Sequence, residues 1–238
     1  MWRVLLLVAS GCGRVGYEAR PLGDGAVEPE DGGTEDGQID ASIDAVAPVG
    51  CGTLLLDDPF DDGMAAPSFV ATAEPGLTVS EAEGRMRVQF AASVTGNRYG
   101  HYRSITAYPT AGLCVVVRPV ELPANGGAVY LKLRTAQLEV EFYGHGTVLE
   151  LRKRQSSVVE TIGTLPFDLA VHAFWRLRQQ GTTTFWDTST DGVTFTARGM
   201  LDGFFSATTC QFELGAGSLA AITDGGFASF ESAAAYGP

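Results

Sequence analysis

Residues 51–238 predict an all-β fold, a sandwich of two antiparallel sheets, and three observations carry that reading. Apolar residues recur with a period of two, in short runs rich in Val, Thr, Phe, Tyr and Leu. Gly, Pro, Asn and Asp separate these runs, as turns between short strands require. No apolar stripe of helical period extends beyond two turns.

The runs at 85–91, 113–120, 128–134, 137–143, 147–153, 173–179, 182–188 and 208–214 are the expected strands. In 137–143, Leu138, Val140 and Phe142 point one way and Gln137, Glu139, Glu141 and Tyr143 the other. In 208–214, Thr208, Cys210, Phe212 and Leu214 share a face opposite Thr209, Gln211 and Glu213. One-sided strands of this kind belong to antiparallel sheets with one face in water. The Ala-rich stretch 229–235 fits a short helix, and the overlapping Phe227-Ala-Ser-Phe230-Glu-Ser fits a last strand.

Residues 173–195 form the most specific stretch. Gln180-Gly181 supplies a two-residue turn, a register that sets Trp175 opposite Trp186 and Arg176 opposite Phe185. Trp175, Leu177, Thr184 and Trp186 then share one face, and Arg176, Arg178, Phe185 and Asp187 the other. A β-turn at Ser189-Thr190-Asp191-Gly192 follows, with Gly192 at positive φ.

Phe167-Asp168, His172, Trp175-Arg176-Leu177-Arg178, Gly181, Trp186-Asp187-Thr188-Ser189 and Asp191-Gly192-Val193-Thr194-Phe195 occur in that order. This set resembles the bacterial laminin-G-like domains of the concanavalin A-like lectin/glucanase superfamily. Asp57-Asp58-Pro59-Phe60-Asp61-Asp62 is similar to the first strand of such domains. The resemblance implies a jelly roll with one concave sheet, and glycan or protein binding on it. Glucanases of the superfamily carry Glu-x-Asp-x-Glu on one strand, three carboxyls on one face. Here the corresponding stretch reads Glu139-Val140-Glu141-Phe142-Tyr143, so the third carboxyl is missing and the catalytic set does not carry over. On that ground the domain is expected to be non-catalytic, with Glu139, Glu141, Tyr143, Arg176, Arg178, Phe185 and Asp187 as ligand-binding candidates.

Asp57 and Asp58, with Asp202 or Asp224, are candidate calcium ligands if the terminal strands lie side by side, as the resemblance implies; calcium takes six to eight oxygens from several segments. His101, His145 and His172 show no metal-ligand spacing, and neither a Gly-x-Ser-x-Gly nucleophile motif nor a phosphate loop is present.

At the other end, Val4–Val8 is a short apolar run behind Arg3, and Ala9-Ser10-Gly11-Cys12 follows. This resembles a bacterial lipoprotein signal over 1–11, which implies export, cleavage before Cys12 and acylation of its thiol. Gly13, in place of Asp, implies the outer membrane or cell surface. Residues 12–50 then form an acidic linker, with nine Asp and Glu against Arg14 and Arg20. Such a composition cannot bury enough apolar surface to offset its ordering entropy, so a disordered tether is expected. The whole chain carries −12, with 16 Lys+Arg against 28 Asp+Glu. That balance argues against nucleic acid, which needs a basic footprint, and leaves the lipid as the sole expected membrane contact.

With Cys12 acylated, Cys51, Cys114 and Cys210 remain, and an oxidising compartment permits one bridge. Cys114–Cys210 is the expected pair and Cys51–Cys210 the alternative. Together these readings describe a surface-anchored lipoprotein whose lectin-like sandwich binds an extracellular glycan or another polymer. A structural or adhesion lipoprotein with a protein partner and a divergent glycoside hydrolase are the alternatives. No cofactor is required by any of them, calcium apart.

Overall fold

The computed structural model describes residues 48–64, 67–123, 126–218, 220–223 and 225–238. Cys12, the linker and Asp224 lie outside the described residues.

Sixteen strands form two antiparallel sheets, and no helix occurs among the described residues. The first sheet holds β1 (Thr53–Asp58), β3 (Leu77–Glu81), β4 (Met86–Phe90), β7 (Cys114–Glu121), β12 (Phe174–Gln180), β13 (Thr183–Ser189), β14 (Thr196–Asp202) and β16 (Gly226–Gly237). Its order is β14-β13-β12-β7-β16-β4-β3, with β1 continuing the β4 edge of β16. The second sheet holds β2 (Phe69–Ala73), β5 (Arg98–Ser104), β6 (Tyr108–Pro109), β8 (Gly127–Arg134), β9 (Leu138–His145), β10 (Val148–Gln155), β11 (Val158–Pro166) and β15 (Thr209–Ser218). Its order is β11-β10-β9-β8-β15-β5-β2, with β6 also on β15.

Alternation decides what lies between the sheets. Trp175, Leu177 and Trp186 of the first sheet meet Leu131, Leu133, Val140, Phe142, Phe212 and Leu214 of the second, all fully buried in one core. Phe142 packs on Trp175 with ring centroids 5.3 Å apart. The Trp186 indole N–H donates to the carbonyl of Glu141 at 2.9 Å, tying β13 to β9 across the core. A buried indole needs such a partner, and this one fixes the strand that carries Glu139 and Glu141.

Two expectations are corrected here, the hairpin register and the disulfide pairing. The hairpin turn is Gly181-Thr182, with Gln180 paired to Thr183 and Gly181 at φ 60°. Moving a turn by one residue moves each cross-strand partner by two. Trp175 therefore faces Thr188, Leu177 faces Trp186, and Arg176 faces Asp187. The face assignments survive because the side-chain period is two. Of the two readings of the Ala-rich stretch, the last strand is the one that forms: Ala233 and Ala235 are fully buried between β1 and β7. Pairing on both edges outweighs the helix propensity of alanine.

The disulfide joins Cys51 to Cys114, with Cα atoms 5.6 Å apart, and Cys210 is free and buried. Neither expected pair forms. Cys51 leads into β1 and Cys114 opens β7, and both strands flank the end of β16. Cys210 lies in the other sheet and faces the core, where burial pushes its thiol up to about 12.

Candidate functional site

The expected ligand-binding residues do not form one site. Arg176, Arg178, Phe185 and Asp187 lie on the outer face of the first sheet. Glu139, Glu141 and Tyr143 lie on the outer face of the second. The core separates them.

On the first sheet the residues pair with one another, and the second Asp187 oxygen is buried without a hydrogen-bond partner among the described residues. Asp187, fully buried, accepts from Arg176 Nε at 2.9 Å and Arg178 Nε at 2.7 Å through the same oxygen. Arg176 also donates to the carbonyl of Val49 at 2.7 Å. The two guanidiniums stack on Phe195 and Phe185, 4.1 and 3.9 Å from the ring centroids. This is a closed structural cluster that pins the segment before β1.

The calcium candidates are likewise apart. Asp57 and Asp58 sit on β1, whereas Asp202 ends β14 at the far edge of the sheet and accepts from the Thr182 and Thr183 hydroxyls at 2.7 and 3.0 Å. Among the described residues no group of three or more His, Cys, Asp or Glu side chains could hold a metal ion.

Asp58 instead neighbours Glu81. Both are buried, and Glu81 has no hydrogen-bond partner for either carboxyl oxygen among the described residues. Burial, reinforced by the charge of Asp58, pushes the Glu81 carboxyl up to about 7. The folded chain thus holds this proton more tightly than the unfolded chain, and stability falls as pH rises from about 4.5 to about 7. The loss is about 2–3 kcal/mol, or about 5–10 °C in melting temperature for a domain of this size. His101 and His172, whose rings burial holds below their usual pKa, act in the opposite sense. The measure is therefore the difference between wild type and Glu81→Gln in melts at pH 5 and pH 8. Equal pH dependence in the two proteins would refute this coupling.

The outer face of the second sheet is where the chemistry gathers. Cross-strand register places side chains of β5, β15, β8, β9 and β10 in rows. One row reads Arg103, Glu213, Lys132, Glu141, Arg152. A second reads Gln211, Arg134, Glu139, Arg154. On the other side of the first row, Tyr130 and Tyr143 lie opposite each other, with Glu150 beyond. Opposite charges directly across a strand pair stabilise it, and like charges would not. Gly217 leaves room for the Tyr99 ring, which lies 2.4 Å from where a Cβ would be. Tyr99 packs edge-on to Tyr130, centroids 6.2 Å apart.

Lys132 is the hub. Its ammonium nitrogen lies 3.4 Å from Glu213, 3.7 Å from Glu141 and 4.0 Å from Glu139. The two nearer oxygens are therefore at most about 7 Å apart, a bound that includes the retaining separation of glycosidases, about 5–5.5 Å, and the short end of the inverting range, about 6.5–9.5 Å. Glu213 also accepts from Arg134 at 2.7 Å and Arg103 at 3.1 Å. Its burial would raise its pKa, but Lys132, His101 and Arg134 outweigh that and hold it at about 2. Glu141 goes the other way: burial raises its pKa, and the cations near it offset only part of the rise. Two carboxyls beside one lysine are thus pushed apart, the pattern that separates an acid from a charged partner. The Tyr130 and Tyr143 hydroxyls are buried without a hydrogen-bond partner among the described residues. A cavity of about 190 Å³ opens on this face, lined by Tyr99, His101, Lys132, Glu139 and Glu213 among others. A larger cleft, about 560 Å³, is lined by Thr164, Asp168, His172 and Arg198, but only one carboxylate borders it.

No family signature and no curated protein matches the sequence. Solved structures do. The catalytic domain of an endo-1,3-β-glucanase (laminarinase) from Thermotoga petrophila is similar over 79% of this chain and 98% of its own, at 11% identity and a TM-score of 0.59. The fold is the concanavalin A-like jelly roll. A glycosyl hydrolase family protein from Mycobacterium fortuitum matches over 77% of this chain and 100% of its own, at 13% identity and a TM-score of 0.58. A LamA variant from Zobellia galactanivorans, in complex with laminaritriose and laminaritetraose, matches over 77% of this chain and 98% of its own, at 12% identity and a TM-score of 0.57. At such identities the shared property is the fold.

These neighbours overturn the expectation of a non-catalytic domain. That expectation rested on Tyr143 occupying the third position of one strand. Catalytic domains of glucanases share this architecture, and a second carboxyl need not come from the same strand. Glu213 arrives from β15, two strands from Glu141, and was overlooked as a site residue although its run already placed it on the outward face. Lys132, Arg134, Arg152 and Arg154 were overlooked for the same reason: their roles come from register, not from local sequence.

Proposed function

We propose that the chain is a divergent glycoside hydrolase acting on an extracellular polysaccharide. The observation that carries this reading is the pair Glu141 and Glu213, both within 3.7 Å of Lys132 and shifted in opposite directions. Glu141, the proton-holding member, donates to the leaving glycosidic oxygen. Glu213 stays charged, faces the positive charge that develops on the sugar ring, and takes a proton from the water whose oxygen bonds the anomeric carbon as the glycosidic bond breaks. Lys132 keeps the second group ionised beside the first. Tyr99 offers a ring against which a sugar packs.

β-1,3-Glucans are the first substrates to test, because laminarinases share the fold. The expected result is release of reducing ends from laminarin or a related polymer. Glu141→Gln and Glu213→Gln should each lower the rate by about 10²–10⁴-fold, the range for loss of acid–base assistance. A Glu141→Gln, Glu213→Gln double variant as active as wild type would remove both roles. Failure of the wild type to cleave any polymer in a broad panel would end the hydrolase reading.

The exported, lipid-anchored location is part of the same proposal and rests on Ala9-Ser10-Gly11-Cys12. Mass spectrometry of the native amino terminus is expected to find Cys12 first and diacylated. An unmodified Met1 terminus would contradict it.

A further inference from the structure

The charges on the second sheet's outer face are layered. The carboxylates lie underneath: the side chains of Glu141 and Glu213 are 3% exposed and that of Glu139 is 11% exposed. The arginines are more open: the side chains of Arg103, Arg134 and Arg154 are 35%, 28% and 34% exposed. The face therefore shows solvent its cations. This contrasts with the chain as a whole, where acids outnumber bases 28 to 16.

Internal pairing does not use up these cations. A guanidinium has five N–H donors and no acceptor. Arg103 donates through Nε to Glu213 and through one terminal nitrogen to His101. Arg134 spends one terminal nitrogen on Glu213 and rests the other 3.7 Å from Glu139. Arg154 turns a buried Nε to Glu139 at 3.3 Å, which leaves its terminal nitrogens without a hydrogen bond among the described residues. Glu74 is the one further carboxylate on the cavity wall, and it accepts from the Tyr99 backbone N–H at 3.1 Å. A neutral glycan's hydroxyl accepts from a guanidinium through a single oxygen and brings no charge to it. A carboxylate or sulfate accepts from two N–H groups of one guanidinium at once.

We propose that the preferred polysaccharide is acidic, bearing carboxylate or sulfate groups that Arg134 and Arg154 on the cavity wall receive, with Arg103 beside them on the shared partner Glu213. This rests on the glycoside hydrolase reading and specifies the substrate class of that site. The net −12 of the chain repels such a polymer at long range, so the contact must be made within a Debye length of this face, about 8 Å at physiological salt. Binding is therefore steeply salt-dependent.

Three polymers with one backbone test it: laminarin, its carboxymethylated derivative and its sulfated derivative, each titrated against the full chain by affinity electrophoresis at about 50 mM and about 500 mM salt. The expected result is that at least one charged derivative binds about 10-fold or more tightly than laminarin at low salt. That advantage falls several-fold at high salt. Whichever derivative shows it identifies the anion. Arg154→Gln and Arg103→Gln, both at half-exposed positions, each weaken the charged derivative about 3–10-fold, as loss of a charge-assisted hydrogen bond does. Equal affinity for neutral and charged polymers, or no binding of either charged derivative, overturns the acidic-substrate inference. Cleavage of laminarin in either case would leave the hydrolase reading standing. Salt-sensitive binding of a charged polymer with no cleavage of any polymer has the reverse meaning: the arginines act as described and the hydrolase reading falls.

Discussion

Replacing Asp187 with Asn lowers the stability of the sandwich by about 3–5 kcal/mol, the usual cost of removing one partner from a buried ion pair. The reason is the asymmetry of the cluster. One carboxylate oxygen receives both Arg176 and Arg178, at 2.9 and 2.7 Å. Arg176 is almost wholly buried, and burial already pulls its pKa below the usual arginine value despite the pull of Asp187. Without that carboxylate two cations lie side by side on adjacent turns of the pleat, one of them out of water. Denaturant unfolding measures the loss. A companion variant separates charge from packing: Arg176→Met with Asp187→Leu should recover most of the deficit, because apolar residues of similar volume often replace a buried pair at little cost. An Asp187→Asn protein within about 0.5 kcal/mol of wild type, the spread of ordinary surface substitutions, would show that the cluster is solvated after all.

Cys51→Ser costs about 4 kcal/mol on the chain-entropy account of a bridge closing a loop of this length, 63 residues in sequence. The bridge also has a local task. Residues 49–51 reach Arg176 through the Val49 carbonyl, and β1 hangs on one edge of β16 alone. Releasing Cys51 frees that edge strand to fray before the rest unfolds, so the loss should be accompanied by early amide exchange in 53–58. Peptide mapping under non-reducing conditions is expected to recover a Cys51–Cys114 linked pair and a lone Cys210. A linked Cys210 would refute the pairing, and a deficit under about 1 kcal/mol in Cys51→Ser would refute its energetic weight.

Much of the fold is legible in the sequence because it depends on local alternation. Each of the eight expected runs overlaps a strand with bounds shifted by a residue or a few. What is not legible depends on partners distant along the chain. β2, β3, β11 and β14 are poorly buried edge or near-edge strands, so their alternation carries little apolar contrast. The hairpin register failed by one turn residue, because Gln180-Gly181 and Gly181-Thr182 are equally good local choices and only pairing with β7 and β14 selects between them. The site was half visible. Glu139 and Glu141 stand out on their strand, but Glu213 joins them because β15 inserts between β8 and β5. No spacing rule reaches across that insertion. The same limit explains the failed cysteine pair and the scattered calcium candidates, which assumed neighbours that the strand order does not make.

β16 has a consequence for how the protein comes into being. It follows all its partners in the chain, yet it occupies an interior position in the first sheet, with β7 on one side and β4 and β1 on the other. Until β16 is made, that layer is three unjoined pieces, β14-β13-β12-β7, β4-β3 and β1. Assembly of that layer waits for β16, as it does wherever remote segments have to find each other, and copies that stop short of β16 leave unpaired strand edges open to proteases.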